Sequence, residues 1–254
     1  MSEFSYAVTG GVGRFTFQRP EARNALTYAM YEGLRDVCRE MPTDGSVKAL
    51  IVSGAGGKAF AAGTDMTQFR AFATPADAHA YEERMEVVFD AVERCPVPTI
   101  AAITGACTGG GASIAAACDL RITDRGLKFG FPMARTLGNC LAVTNLARLC
   151  QFVSPARVKE LLLTARLVGA EEALALGLVT EIADDPLARA EELAETLSAH
   201  APLTMRASKE ALRRMMKAAP VDDADLIELC YMSADFREGM EAFLAKRPPQ
   251  WRGA

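Results

Sequence analysis

CTGGGASIAAACD, residues Cys107 to Asp119, is the stretch on which the reading of this chain turns. It has no charge before its last residue, and three glycines stand directly ahead of a run of small apolar side chains. A glycine triplet disfavours continuous helix, so the triplet reads as a loop and Gly110–Ala117 as a short buried helix opening from it. Gly110 lacks a Cβ, so its N–H can come close to a ligand. At the start of a helix that N–H has no intrahelical partner, and the helix dipole adds positive potential there. About one supersecondary unit upstream, Lys58 to Met66 reads KAFAAGTDM, where the small residues Ala62, Gly63 and Thr64 offer a second backbone donor. Two N–H groups aimed at one point are what an oxyanion hole requires. The plain alternative is tight packing of glycine against a strand, and the motif alone leaves both open.

Outward from this segment the pattern repeats. Ala49–Val52 is a continuous apolar run, the mark of a strand buried on both faces. A glycine-rich loop and a helical pattern from Pro75 to about Arg94 follow it. Thr99–Ile103 then supplies a second strand ahead of the glycine triplet, with short strands predicted at Leu120–Ile122 and Lys128–Phe129. At the N-terminus, Ser5–Thr9 and Arg14–Phe17 read as a hairpin around Gly10-Gly11. Thr27 is placed to cap a helix from Tyr28 to about Met41, with Leu34, Val37 and Met41 on one face. Strand, glycine loop and helix in succession predict an α/β fold with parallel strands. From Ser154-Pro155 onward the chain reads as helices: Glu171–Leu176, Pro186–Ala199, Pro202 to about Lys217, Asp222–Met232 and Asp235–Lys246. Met205, Leu212 and Met216, at helical spacing, read as a core stripe.

Composition removes several function classes. The chain has 254 residues, 50% hydrophobic and 24% charged, enough for one large domain or a domain with a helical appendage. A formal net charge of −4 and the lack of a basic stripe argue against nucleic-acid binding but leave a small anion open. Seven cysteines without a C-x-x-C pair read as buried free thiols in a reducing cytosol. The start MSEFSYAV has no signal-peptide pattern, so a cytoplasmic location is expected. His79 and His200 have no partner at zinc-ligand spacing, so no metal site is expected. Ser113 does not sit in G-x-S-x-G, which argues against a Ser–His–Asp hydrolase. The loop Ser53–Ala59 matches G-x-G-x-x-A, but no helix opens after it to hold a pyrophosphate. Residues Cys95 to Cys118 are uncharged and long enough to span a bilayer, but Pro96, Pro98, Gly105 and the triplet make a strand, loop and helix the better expectation.

KAFAAGTDM, ITGACTGGG and ACDLRI, taken in order, resemble the crotonase (enoyl-CoA hydratase/isomerase) superfamily. The resemblance extends to RPEARNAL at residues 19–26, ARVKELLLTAR, EEALALGLV, HAPLTMRASKEALRR and the terminal EGMEAFLAKR, covering nearly the whole chain. It implies a spiral of ββα units over residues 1–195 and a C-terminal helical trimerisation segment over 196–254, as a homotrimer or dimer of trimers. It implies a coenzyme A thioester as substrate, with no bound cofactor, and an oxyanion hole formed by the N–H groups of Thr64 and Gly110. Ala25, Ala62, Asp65, Met66 and Thr67 are implied to line the coenzyme A site. Arg23 and Lys246 are implied to approach its phosphates, Lys246 from a neighbouring subunit. A solvated helix end is the alternative for Lys246, and a helix cap the alternative for Asp65.

The chain departs from the family pattern where hydratases carry their two glutamates: Ser113 stands at one position and Met133 at the other. A further acidic position of the family falls at Leu141. Ser113 is a poor base without an activating neighbour. The expectation is therefore a hydratase/isomerase-type enzyme with another proton carrier, for which Arg135, Asn139, Cys140 and Glu83 are candidates by local position. One alternative is an acyl-CoA decarboxylase or lyase, in which loss of CO₂ yields the enolate without a base. PARVKELLLTAR resembles the methylmalonyl-CoA decarboxylase branch, although the His and Tyr of that branch fall at Thr64 and Leu141. The other alternative is a non-catalytic acyl-CoA-binding subunit.

Overall fold

Residues 2–216 and 224–250 are described by the structure, a computed structural model. The chain enters through β1 (Phe4–Thr9) and β2 (Val12–Phe17), an antiparallel pair in which Thr9 faces Val12 across the Gly10-Gly11 turn. Both glycines have positive φ, 61° and 78°, the conformation a two-residue hairpin turn demands.

Three strands named in the sequence extend this pair. β3 (Ala49–Gly54), β5 (Thr99–Ile103) and β7 (Leu120–Thr123) add in parallel, with β9 (Glu181–Ile182) at the edge, giving the order β1-β2-β3-β5-β7-β9. Period-two alternation explains why β3 and β5 are apolar throughout. Leu50, Val52, Ala101 and Ile103 face the main core, while Ala49, Ile51, Ile100 and Ala102 face α8 (Pro186–Ser198) through Ala190 and Ala194.

A second sheet joins two segments that read as loops to the short strand expected at Lys128–Phe129. β4 (Ala59–Ala61), β6 (Ala106–Thr108) and β8 (Lys128–Gly130) form a parallel three-stranded sheet in that order. Strands β3 and β4 lead to α2 (Pro75–Glu93), and β5 and β6 lead to α3 (Gly110–Ala117). The repeat is thus one strand to each sheet, then a helix. Three-residue strands are too short to show a period-two pattern, so β4 and β6 were not legible as strands.

Helix α1 (Tyr28–Arg39) packs on α2 and is capped by Thr27, whose hydroxyl accepts from the Met30 N–H at 3.3 Å. It stops short of the expected Met41 because Met41 precedes Pro42, which disfavours helical backbone. Cys38 takes the buried place expected of Val37, which is half-buried. Short helices α4 (Met133–Thr136), α5 (Val143–Leu149), α6 (Pro155–Thr164) and α7 (Ala170–Ala175) follow β8.

The C-terminal region contains α9 (Pro202–Met216), α10 (Ala224–Tyr231) and α11 (Ala234–Leu244). The expected helix ends at Lys217 and Asp222 lie outside the described residues. The methionine stripe is a correction: Met205 is half-buried and Leu212 is 61% exposed, while the Met216 side chain lies outside the described part. Leu203 and Met215, exposed to 75% and 71%, share α9 with them. The helix touches its own chain along its polar side, where Lys209 Nζ donates to the Val97 carbonyl at 2.8 Å and pairs with Asp119. Cys150 also departs from expectation, being exposed, while Cys38, Cys95, Cys107 and Cys118 are buried.

Candidate functional site

Pairing of β4 with β6, Ala61 opposite Cys107, carries the loops after them to the same place. The first loop is Ala62–Asp65 and the second is Gly109-Gly110. Gly109 has a φ of 52°, which turns the chain from β6 into α3 at no steric cost. Gly110 is glycine because of its neighbours: a Cβ there would fall 1.8 Å from the Tyr31 hydroxyl and 3.2 Å from Thr64 Oγ1.

Thr64 is held on all sides. Its hydroxyl meets the Tyr31 hydroxyl at 2.8 Å and the Tyr81 hydroxyl at 2.9 Å. Burial raises the pKa of both phenols, so they remain neutral O–H groups in this contact. The backbone around Thr64 is pinned to Leu26: the Leu26 N–H donates to the Gly63 carbonyl at 2.8 Å, and the Asp65 N–H donates to the Leu26 carbonyl at 2.9 Å. Among the described residues no backbone carbonyl accepts from the Thr64 N–H or the Gly110 N–H.

The far end of α3 is anchored by Arg121. Its guanidinium is 3% exposed and donates to the carbonyls of Cys118 at 2.7 Å, Ala115 at 3.3 Å and Leu178 at 2.7 Å, and it lies 4.1 Å over the Phe152 ring. Burial lowers its pKa from the arginine value, while three carbonyls and a ring face compensate the charge. A cation at the C-terminus and open N–H groups at the N-terminus both suit the dipole of this helix.

Thr64 and Gly110 line one cavity of about 580 Å³. Arg23, Ala25, Ala62, Asp65 and Met66 also line it, as do Ser113, Met133, Asn139, Cys140 and Leu141. Tyr231 of α10 and Phe243 and Leu244 of α11 close its C-terminal side. Thr67 is outside the lining; its N–H and hydroxyl bond the Asp65 carboxylate at 3.0 and 2.7 Å. Asp65 therefore caps the 3-10 turn Met66–Ala71 and also pairs with Arg19 at 2.9 Å. Burial opposes its ionisation, yet the Thr67 bonds and the Arg19 charge hold its carboxyl below the usual range. Lys246 is exposed on its own chain and does not line this cavity.

Two candidates for the proton carrier stand outside the lining. Arg135 and Glu83 are both exposed and do not line the cavity. Adjacent to Glu83, Glu82 does line it and is 9% exposed. One residue is a 100° rotation on a helix, enough to carry Glu83 off the buried stripe to which Glu82 belongs. The signal was present: Ala78, Glu82, Met85 and Phe89 form the buried stripe of α2, and a charge on a buried stripe is the anomaly to follow. Tyr231 also escaped the sequence reading. Its hydroxyl donates to Glu82 Oε1 and accepts from Asn139 Nδ2 at 3.2 Å.

The chain is similar to known proteins over nearly its whole length. The sequence profile of the enoyl-CoA hydratase/isomerase family matches residues 7–254. The short-chain-enoyl-CoA hydratase of Clostridium acetobutylicum is 32% identical over 244 residues, 94% of this chain and 93% of its own length. The crotonyl-CoA hydratase of Syntrophomonas wolfei is 34% identical over 235 residues, 90% of each chain. The crystal structure of an enoyl-CoA hydratase/carnithine racemase from Magnetospirillum magneticum superposes with a TM-score of 0.80 at 36% identity, covering 100% of this chain and 97% of that one. A methylmalonyl-CoA decarboxylase structure reaches a TM-score of 0.89 over 100% of this chain and 99% of its own, at 24% identity, a likeness of fold.

Proposed function

This chain belongs to the enoyl-CoA hydratase/isomerase family, and from that premise we propose that it binds an acyl-CoA thioester and stabilises its enolate. The thioester oxygen sits between the N–H groups of Thr64 and Gly110. The observation that carries this reading is the juxtaposition of Gly110 with the Thr64 hydroxyl, 3.2 Å from where a Cβ would stand, in the wall of one cavity. Charge that develops on the oxygen meets two fixed dipoles and the start of α3, with no reorganisation at the moment of reaction. Coenzyme A is substrate here, and no cofactor enters the scheme. Arg23, Ala25, Ala62, Asp65 and Met66 lie on the cavity wall where the coenzyme would pass, and Thr67 holds Asp65 in place.

Steady-state assay with a short enoyl-CoA tests the proposal, with Gly110→Pro as the variant that removes one N–H. Proline suits the first position of a helix, so loss of turnover reports the donor together with its close contacts. Unchanged turnover would sink the role of Gly110. A decarboxylase is the second reading, favoured by Ser113 and Met133 in the cavity wall, neither of which is a base at neutral pH. Absence of CO₂ release from malonyl-type thioesters removes it. Binding without turnover across an acyl-CoA panel would point instead to a non-catalytic subunit. The same reading extends to assembly as a homotrimer or dimer of trimers with Lys246 serving a neighbouring site, supported by the uncovered Leu203, Leu212 and Met215 of α9. Sedimentation equilibrium checks it, and a monomer refutes it.

A further inference from the structure

Two carboxylates line the cavity among the described residues, Asp65 and Glu82. Asp65 is committed to Arg19 and to the turn that follows it. Glu82 lines the same cavity as Tyr81, whose hydroxyl binds Thr64 at 2.9 Å, and after burial its charge is among the causes that raise the Tyr31 and Tyr81 phenols around Thr64. Met85, Phe89 and Phe69 share its wall and keep that wall apolar. Tyr231 donates to one carboxylate oxygen, and Asn139 donates to Tyr231. The Asn139 amide oxygen is buried and has no hydrogen-bond partner among the described residues. A buried acceptor left open one tyrosine away from the carboxylate is a place for a ligand's hydrogen-bond donor.

We propose that Glu82 of α2, in place of Ser113 and Met133, is the catalytic residue that carries the proton when the site performs the isomerase side of its family's chemistry, a one-base shift of a carbon–carbon double bond. The inference rests on the thioester site proposed above. In a β,γ-unsaturated acyl thioester the Glu82 carboxylate takes a proton from the α-carbon. The electron pair of that C–H bond moves toward the carbonyl, giving a dienolate whose charge rests on the thioester oxygen. The pair then returns, the γ-carbon takes the proton back from the Glu82 carboxylic acid, and the double bond lies between the α and β carbons. One proton leaves and one returns, with no water consumed and no oxidant or reductant. Tyr231 fixes the carboxylate in one rotamer, and Asn139 fixes Tyr231, so these two are positioning residues.

Three measurements on the full chain test this: calorimetric binding of butyryl-CoA, exchange of its α-hydrogens in D₂O by mass spectrometry, and absorbance growth on conjugation of a β,γ-enoyl-CoA. The wild type is expected to bind, exchange and isomerise. Glu82→Gln is expected to bind within about threefold and to lose roughly 10²–10⁴-fold in exchange and isomerisation, the span of a positioned acid or base. Tyr231→Phe is expected to slow both rates with binding retained. If Glu82→Gln does not fold, Glu82→Asp keeps the charge with a shorter arm and is expected to exchange at least about tenfold slower. Either glutamate variant folding and exchanging at the wild-type rate overturns Glu82 and leaves the thioester site standing. A wild type that binds acyl-CoA but neither exchanges nor isomerises also overturns Glu82 alone. A wild type that binds no acyl-CoA overturns the thioester site, and this inference with it.

Discussion

Gly110→Ala adds one methyl group at the most constrained point of the cavity wall. Ordinary contact for a Cβ begins at 3.4 Å, and this one would stand 1.8 Å from the Tyr31 hydroxyl, so the loop or the ring must give by about 1.6 Å. Tyr31 is fully buried, and its hydroxyl is tied to Thr64 at 2.8 Å. The displacement therefore passes to Thr64 as well as to Gly110, and both proposed donors move. Misplacement of about 1 Å costs on the order of 10²-fold, and loss of one oxyanion donor costs roughly 10²–10³-fold in kcat. We expect kcat on an enoyl-CoA to fall by about 10²–10³-fold, with the melting temperature as a check on folding. Tyr31→Phe provides the internal control. Without the phenolic oxygen the nearest Tyr31 atom is Cζ at 3.1 Å, a gap that small adjustments can absorb. The double variant is then expected to exceed the product of the two single effects by about tenfold, a coupling of roughly 1.4 kcal/mol. A Gly110→Ala enzyme with undiminished kcat, or a double variant no better than the product of the singles, refutes the steric and catalytic reasoning together.

Arg121→Met leaves the carbonyls of Ala115, Cys118 and Leu178 without their donor. At about 1–3 kcal/mol for a buried unsatisfied group, we expect a loss near 3 kcal/mol and a drop in Tm of roughly 6–12 °C by calorimetry; an unchanged Tm refutes the anchoring role. Asp65 has its carboxyl lowered in the folded state, so its stabilisation is present above the ordinary aspartate value near about 4 and fades as pH falls through the lower native value. Asp65→Asn should therefore be less stable than wild type at neutral pH, with the two converging in denaturant titrations as the buffer is taken below that value. Parallel curves refute the linkage. Cys150 is exposed, whereas burial pushes the Cys118 thiol up to about 12. Mass-mapped alkylation should label Cys150 well ahead of Cys118, and acyl-CoA should protect Cys140 in the cavity wall. Equal labelling of Cys140 with and without ligand counts against the binding site.

Five strands of the large sheet are plain in the sequence because they are long enough to show their character, whereas the two-residue β9 is not. Ala49–Gly54 is apolar on both faces since the main core lies on one side and α8 on the other. In the second sheet only Lys128–Phe129 reads as a strand: Ala59–Ala61 and Ala106–Thr108 hold three residues each inside glycine-rich stretches, and their identity as strands exists only in their pairing. The glycine loop was read from local chemistry, but the reason for glycine at position 110 comes from Tyr31, far away in sequence. Period alone misassigned the α9 stripe, because a helix face shows that it is apolar without showing what covers it. Glu82 was missed for want of one step, the comparison of two adjacent glutamates with the buried stripe of α2.

Helix α3 connects these pieces. All eight of its residues are Gly, Ala, Ser or Ile, and seven are buried. Small side chains let α2, α5, β4 and β6 approach its backbone closely, and a Cβ on Gly111 would already overlap the Ala61 carbonyl at 2.3 Å. A helix so enclosed cannot slide or tilt without displacing several neighbours. Arg121 locks its C-terminus and the Gly109 turn fixes its N-terminus, so the Gly110 N–H is held by the fold before any ligand arrives. That rigidity bears on the choice between Ser113 and Glu82 as proton carrier. Ser113 lies on the same enclosed helix, buried to 3% exposure, and as an alcohol it would need a base beside it. Glu82 lies on α2, which contributes a carboxylate already hydrogen-bonded at the cavity wall. The proposed scheme divides the labour: α3 would hold the oxygen where charge collects, and α2 would move the proton that creates the charge. Substitutions confined to the packing of α3 should therefore depress α-hydrogen exchange and turnover in equal proportion, because both steps pass through the same enolate, whereas Tyr231→Phe should slow proton transfer and leave affinity for a saturated acyl-CoA unchanged.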